Sequence, residues 1–249
     1  VRMDLQERIS NLMAATAVGT AVEQDLLRAG IITMGAALTA TGGTSAPPLV
    51  ILDTRRTAFF KRFRDQRPNI CARYGHAPFD VPLNEVAAWR LAFAMGDPWR
   101  QLVPTAVFRK INDAGGALIN DRKAKADLSV FAEAGGQAGA AGFWDSLLGQ
   151  QDRNTQNFRY DRATRTLALI DHGFSFARSG DLCNSTIFAH ARHQSSPVLS
   201  AGERAALEKL NAADLHGLRG FIAADRAMAF ERRATEMLRT GRVLAPGQF

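Results

Sequence analysis

Three polar residues in the second half of the chain have the types and the spacing of a divalent-metal site. Asp152 is followed five residues later by Asn157, and Asp171 comes fourteen residues after Asn157, at the end of the apolar run 167–170. Amide and carboxylate oxygens are hard ligands that suit Mg²⁺, which usually takes one or two protein ligands together with nucleotide phosphates. A carboxylate that closes a strongly apolar strand is therefore a candidate site residue.

A hairpin can bring two of these residues together. The segments 158–160 and 167–170 read as two strands, and a loop centred on Thr164 predicts that Asn157 faces Asp171 and that Phe158 faces Ile170. Cross-strand neighbours lie about 4.5–5.5 Å apart, so an amide oxygen and a carboxylate can share one cation. Taken singly, Asp152 and Asn157 could instead be turn and capping residues.

Lys61 is the basic residue that stands out in the first half. The chain has 26 Arg but only 5 Lys, so a lysine within an apolar stretch is unusual here. The segment 57–63 reads as a strand, and a turn at 53–56 predicts that Leu49 faces Phe60 and that the loop 42–45 emerges beside Lys61. Alone, Lys61 could be an exposed strand residue, and Glu85, on the predicted helix 82–95, a solvated helix residue.

The order of these segments resembles a known family. DRNTQN at 152–157 and IDHG at 170–173 resemble the catalytic and metal-binding loops of the phosphatidylinositol 3- and 4-kinase-like superfamily, including its small bacterial members. The strand 57–63 resembles the one that carries the ATP-contacting lysine, and 84–91 resembles the helix that carries its glutamate partner. VPT at 103–105 resembles the segment that follows this helix in the bacterial members.

The resemblance implies an α+β, two-lobed protein-kinase-like fold that binds ATP between its lobes. A β-rich N-lobe would span 1–132, and a mainly helical C-lobe with a catalytic hairpin would span 133–249. Mg²⁺ would be held by Asn157 and Asp171, while Lys61, fixed by Glu85, neutralises the phosphates and Asp152 orients the acceptor hydroxyl. The remaining nucleotide contacts would be a phosphate loop and a hinge beside the adenine: Gly42, Gly43, Thr44 and Ser45, then Val130, Phe131 and Ala132.

The sequence departs from the family pattern at several points. Lipid kinases of the superfamily have a histidine where this chain has Asn154, so either Asp152 is the catalytic base or there is none. The metal loop reads Asp-His-Gly, and the phosphate loop has two adjacent glycines rather than the G-x-G-x-x-G of protein kinases. A catalytically silent pseudokinase and a nucleotidyl transferase that moves AMP are therefore alternatives to a kinase.

Composition bears on the acceptor and on other classes of partner. The 249-residue chain carries a formal charge of +7, which raises nucleic-acid binding as a further alternative, but its arginines are scattered from Arg2 to Arg242. The polar segment 174–196 favours a protein or a small polar molecule as acceptor over a lipid. The two cysteines are far apart in sequence, no apolar run reaches about 18 residues, and the sequence shows no signal-peptide pattern. Together these observations predict a cytoplasmic protein.

The remaining patterns predict organisation. EAGGQAGAAG at 133–142 has the composition of a flexible boundary between lobes. Helices are expected over 4–29, after a Ser200–Glu203 capping box and over 224–240. Core positions are expected at Phe143, Trp144, Leu147 and Leu148. We expect His172 to be a packing or loop residue and His76 to lie at the surface, and His190 and His193 lack a third ligand nearby for zinc.

Overall fold

The computed structural model describes residues 19–35, 47–181, 183, 185–210, 218 and 220–246. Its strands are β1 (Ile31–Met34), β2 (Leu49–Leu52), β3 (Thr57–Arg62), β4 (Ala106–Ile111), β5 (Ala114–Asn120), β6 (Asp152–Arg153), β7 (Phe158–Asp161), β8 (Thr166–Leu169) and β9 (Ser185–Thr186). Its α-helices are α1 (Ala21–Arg28), α2 (Pro68–Arg73), α3 (Asp80–Met95), α4 (Trp99–Leu102), α5 (Val130–Glu133), α6 (Gly135–Leu148), α7 (Ile187–Ser195), α8 (Ala201–Lys209) and α9 (Ala224–Thr240). A sheet is thus followed by a mainly helical region, which confirms the predicted α+β arrangement.

The N-terminal half is built on an antiparallel five-stranded sheet of order β1-β2-β3-β5-β4, in which β3 is central. Helix α1 packs on the sheet through Leu26, which shares a buried apolar cluster with Phe60 of β3 and Leu118 of β5. A capping box of Thr20 and Glu23 starts α1. This confirms the predicted helix over 21–28, while its expected part at 4–18 lies outside the described residues.

The pairing of β2 with β3 differs by one residue from the expected register. Leu49 pairs with Phe59 rather than Phe60. The backbones of Leu52 and Arg56 are hydrogen-bonded, and Arg55 has a left-handed φ of 65°. The connection is therefore a three-residue loop rather than the four-residue turn expected at 53–56.

The hairpin β7–β8 exists as predicted, but its register is also shifted by one residue. Phe158 pairs with Leu169 rather than with Ile170. The loop between Asp161 and Thr166 has four residues, because Asp161 Oδ1 accepts hydrogen bonds from two backbone N–H groups of the loop and Arg165 is left-handed. The shift also changes what lies opposite Asn157, whose carbonyl accepts a hydrogen bond from the backbone N–H of Ile170.

Most of the glycine-rich stretch at 133–142 is helical, so the prediction that it is flexible is wrong. Residues 135–148 form α6, which packs closely against α7. A Cβ atom built on Gly142 would lie 2.4 Å from Arg192 Cβ and 2.5 Å from the carbonyl oxygen of Phe188. The small residues therefore permit close helix packing rather than flexibility. Toward its C-terminal end, α6 buries all four predicted core residues: Phe143, Trp144, Leu147 and Leu148.

We expect Gly142→Ala to lower the free energy of unfolding by about 1–3 kcal/mol, because the methyl group must push α7 away. Urea unfolding followed by circular dichroism measures the effect. Gly139→Ala, three residues earlier in α6, is the matched control, since its Cβ would meet only Arg192 Cδ, at 4.0 Å. The control should be neutral or gain about 0.5–1 kcal/mol. Equal stability of Gly142→Ala and the wild type would contradict the packing argument.

The last two helices begin and end as the sequence indicates. Ser200 and Glu203 form the predicted capping box of α8. Helix α9 covers 224–240 and is followed by Gly241 at a left-handed φ of 67°. Across the described residues, we find no helix with the length and apolar character needed to cross a membrane.

Candidate functional site

Lys61 and Glu85 form a buried ion pair between the sheet and α3. Lys61 Nζ lies 2.5 Å from Glu85 Oε1, and the two side chains are 5% and 3% exposed. β3 carries Lys61 at the centre of the sheet, and α3, which carries Glu85, packs on β4 and β5. The alternatives of an exposed lysine and a solvated glutamate are therefore wrong.

The predicted metal loop, at 170–173, reaches the same lysine. Asp171 Oδ1 lies 2.7 Å from Lys61 Nζ, and the Asp171 side chain is 35% exposed, so it borders solvent while Lys61 does not. Asp171 has a left-handed φ of 59°, which Asp tolerates better than most residues. Gly173 allows this loop to approach β3 and α3 closely, because a Cβ atom there would lie 3.2 Å from Lys61 Nζ and 2.5 Å from Val81 Cγ1.

The charges of this cluster stabilise one another. Burial by itself lowers the pKa of Lys61, but the carboxylates of Asp171 and Glu85 raise it above its ordinary value. For Glu85 the directions are reversed: burial raises the pKa of this carboxyl group, but Lys61 and His172 bring it down to about 2. Lys61 is therefore a fixed cation and Glu85 a fixed anion at neutral pH.

Asp152 and Asn157 lie on the loop that leads into the hairpin. The Asn157 side chain is largely buried, and its Nδ2 donates to the Asp152 carbonyl oxygen at 2.6 Å. Asn154 Nδ2 donates to Asp152 Oδ1 at 3.1 Å, so the residue that departs from the family pattern orients the Asp152 carboxylate.

The donor set fits Mg²⁺. Because the Asn157 nitrogen is engaged by Asp152, its amide oxygen is the atom it can offer to a cation. Asp171 adds a partly exposed carboxylate. Two oxygen ligands from the protein, with phosphates and water completing the shell, are the usual arrangement for Mg²⁺.

Sequence reasoning missed the buried pair of Arg153 and Asp145. Both side chains are fully buried, and Arg153 Nε lies 3.1 Å from Asp145 Oδ2. Arg153 Nη1 also donates to the carbonyl oxygens of Asn157 and Ile170. The available signal was an acidic residue within the apolar helix α6 together with an arginine directly after Asp152.

A second missed network connects the segment before α3 to Gln151, which directly precedes Asp152. His76 was expected at the surface, but it is only 4% exposed and its Nε2 lies 2.8 Å from Gln151 Oε1. Asn84 Nδ2 lies 3.3 Å from His76 Nδ1 and donates to the Gly173 carbonyl oxygen at 2.7 Å. The surface prediction is wrong because these partners are distant in sequence, Gln151 by 75 residues.

His172 is a packing residue, as predicted. It is 1% exposed, and its Nε2 accepts a hydrogen bond from Trp144 Nε1 at 3.2 Å. Its backbone N–H donates to Glu85 Oε2 at 3.0 Å. Each oxygen of the Glu85 carboxylate therefore has its own partner, Lys61 on one and the metal loop on the other.

Acid should destabilise the protein through His76. Burial, with the nearby charge of Arg226, lowers the pKa of His76 from 6.5 to about 3. Between these values the unfolded chain binds a proton that the folded chain does not. The free energy of unfolding therefore falls as the pH drops through this window, by up to about 1.4 kcal/mol per pH unit from this group.

Urea unfolding at about pH 6.5 and about pH 4.5 measures this loss. In His76→Gln the decline should be shallower than in the wild type, because the titrating group is gone. His190→Gln, which changes an exposed histidine of α7, is the control and should keep the wild-type decline. An unchanged decline in His76→Gln would contradict the assignment.

The remaining predicted site residues are those of the phosphate loop and of the hinge. Gly42, Gly43, Thr44 and Ser45 belong to the part of the chain outside the described residues. The predicted hinge residues form most of α5, after a connection from β5 that spans 121–129: Val130, Phe131 and Ala132. Phe131 packs against Phe188, with ring centroids 4.9 Å apart. Among the described residues, no group of three or more His, Cys, Asp or Glu side chains could hold a metal ion.

Comparison with known proteins shows a likeness in fold. No protein-family model and no curated protein sequence matches this chain. A crystal structure of the Golgi casein kinase is similar at 14% sequence identity over 98% of this chain and 80% of that one, with a TM-score of 0.51. The structure of Hydra Fam20 with sugar is similar at 15% identity over 94% of each chain, with a TM-score of 0.55. These likenesses confirm the two-lobed, protein-kinase-like fold, with an antiparallel sheet lobe followed by a mainly helical lobe.

Proposed function

We propose that the protein is a kinase that uses ATP and Mg²⁺ to transfer the γ-phosphoryl group to a hydroxyl of a protein or a small polar molecule. The observation that carries the proposal is the convergence of Glu85 and Asp171 on the buried Lys61 Nζ, within 2.5 and 2.7 Å. The three residues come from β3, α3 and the metal loop. A structural ion pair alone does not require a second, partly exposed carboxylate at the edge of the cluster.

Each residue has a distinct role in this proposal. Lys61 neutralises the α- and β-phosphates of ATP, and Glu85 holds Lys61 in place. Asp152 orients the acceptor hydroxyl. Mg²⁺ held by Asn157 and Asp171 supplies charge neutralisation on the transferred group. Positioning and electrostatic stabilisation account for most of the rate enhancement in such reactions.

The wider assignments rest on the family resemblance. We propose that Gly42, Gly43, Thr44 and Ser45 form the phosphate loop, and that Val130, Phe131 and Ala132 lie beside the adenine. The N-lobe then spans 1–132 and the C-lobe 133–249. The segment 174–196 offers the acceptor surface in a cytoplasmic protein related to the phosphatidylinositol 3- and 4-kinase-like superfamily.

The test is a transfer assay with ATP labelled at either the α- or the γ-phosphate. The purified protein is incubated with Mg²⁺, the labelled ATP and a cell extract that supplies acceptors, and the products are identified by mass spectrometry. Incorporation of the γ-label supports the proposal. Incorporation of the α-label identifies a nucleotidyl transferase, and nucleotide binding without transfer identifies a pseudokinase. A folded protein that neither binds ATP nor transfers label contradicts the nucleotide site itself.

A further inference from the structure

Arg153 lies where the loop that carries Asp152 and Asn157 meets the end of the hairpin. It directly follows Asp152 in sequence and belongs to the short strand β6. Its Nη1 donates to the carbonyl oxygen of Asn157 and to that of Ile170, the residue before Asp171. Arg153 is therefore hydrogen-bonded to the backbone of Asn157, is the sequence neighbour of Asp152, and is hydrogen-bonded to the sequence neighbour of Asp171.

The guanidinium group is itself held from α6. Asp145 accepts hydrogen bonds from Arg153 Nε and Nη2, at 3.1–3.2 Å. Neither side chain has measurable exposure, so water does not compete for these hydrogen bonds. Bidentate pairing of this kind fixes the plane of a guanidinium group, which the single ammonium group of a lysine cannot reproduce.

We propose that Arg153, fixed by Asp145, is a positioning residue that sets the separation of the Asn157 and Asp171 side chains and thereby the affinity of the metal site. This inference rests on the proposed function. Among the described residues, Arg153 donates to backbone carbonyl oxygens and to Asp145, and its side chain is fully buried, so we assign it no direct contact with the nucleotide or the metal. The hairpin register leaves Asn157 opposite Ile170 rather than Asp171, so Arg153 adds a connection between the two ligand-bearing segments.

Arg233 provides a matched control within the same chain. It is also almost fully buried, and it donates to three backbone carbonyl oxygens: those of Leu147, Leu148 and Ala177. These carbonyls belong to the end of α6 and to the segment after the metal loop. We therefore expect Arg233→Lys, like Arg153→Lys, to lower the stability of the fold. Unlike Arg153→Lys, it should leave the separation of the metal ligands unchanged.

The experiment measures the affinity of Mn²⁺, as a probe for Mg²⁺, in the presence of a non-hydrolysable ATP analogue. Electron paramagnetic resonance reports free and bound Mn²⁺, and circular dichroism confirms folding. The variants are Arg153→Lys and the double variant Arg153→Met/Asp145→Leu. The double variant replaces the buried pair by apolar side chains of similar size, a change that often preserves stability.

We expect both Arg153 variants to bind Mn²⁺ about ten- to a hundredfold more weakly, the usual effect of losing a residue that orients a metal ligand. Affinity for the analogue without metal should stay at the wild-type value, because Lys61 and Glu85 are unchanged. Arg233→Lys should lower the melting temperature and leave Mn²⁺ affinity unaltered.

Two outcomes overturn the positioning role while the proposed function stands. One is wild-type Mn²⁺ affinity in a folded Arg153 variant, and the other is an equal loss of affinity in Arg233→Lys. If the wild type itself binds no Mn²⁺ with the analogue, the proposed metal site is wrong and the positioning role is wrong with it.

Discussion

Asp171→Asn should reduce the rate of phosphate transfer by about a hundred- to a thousandfold, the scale seen when a key electrostatic contact to the transition state is lost. The substitution removes one negative charge and changes little else. Asn accepts the left-handed φ of 59° observed at this position, and Lys61 keeps its contact with Glu85. The variant should therefore remain folded. The rate of γ-label incorporation at saturating ATP and Mg²⁺, together with a thermal melt, gives the result.

Asp161→Asn is the control for this prediction. Asp161 lies at the opposite end of the same hairpin, where its side chain accepts hydrogen bonds from the loop backbone. An asparagine oxygen can accept the same bonds, so activity should stay at the wild-type level. If Asp171→Asn is folded and transfers phosphate at the wild-type rate, Asp171 does not hold the metal.

Lys61→Met should impair both catalysis and stability. It removes the cation that we assign to the phosphates, and we expect at least about a hundredfold loss in kcat/KM for ATP. It also leaves the Glu85 carboxylate buried beside an apolar group. Removing one partner of a buried ion pair costs about 3–5 kcal/mol. Initial rates over a range of ATP concentrations and urea unfolding measure the two effects.

The stability deficit of Lys61→Met should depend on pH in a defined direction. Burial raises the pKa of Glu85, but Lys61 and His172 together lower it from 4.5 to about 2. A carboxylate with a lowered pKa in the folded state adds stability above its unfolded pKa, and this is lost as the pH falls through the folded value. As the pH falls from about 4.5 towards 2, the deficit should therefore shrink.

Lys110→Met controls for the loss of a lysine from the same sheet. Lys110 lies on β4, is about half exposed and pairs with Asp113 at the surface. Its replacement should change stability by less than about 0.5 kcal/mol and leave the kinetics unaltered. A deficit in Lys61→Met that is no larger, or that does not shrink in acid, would contradict the assigned coupling between Lys61 and Glu85.

The sequence predicts the cluster around Lys61 well, because residue types and their order along the chain carry that information. The registers of the two hairpins were each wrong by one residue. The length of each loop depends on its backbone conformation. Arg55 and Arg165 are left-handed, and arginine is not a residue type that indicates this conformation from sequence.

Packing against distant segments was the other source of error. The glycines of 133–142 were interpreted from composition as flexible, whereas Gly142 is required by the approach of α7. His76 and Arg153 are buried by partners that adjoin them only in the folded chain, so their local sequence reads as polar surface or loop. Local sequence patterns therefore indicate single helices and strands, whereas contacts between elements depend on residues that are distant in sequence.

The two bonding partners of the Glu85 carboxylate limit how the two lobes can move relative to each other. One oxygen binds Lys61 of the sheet, and the other binds the backbone N–H of His172 in the metal loop. A rotation that opens the sheet away from the helical lobe must break one of these two bonds. The sheet is therefore joined to this loop through Glu85 of α3 as well as through the direct contact of Lys61 with Asp171, so a displacement of α3 would reach both lobes.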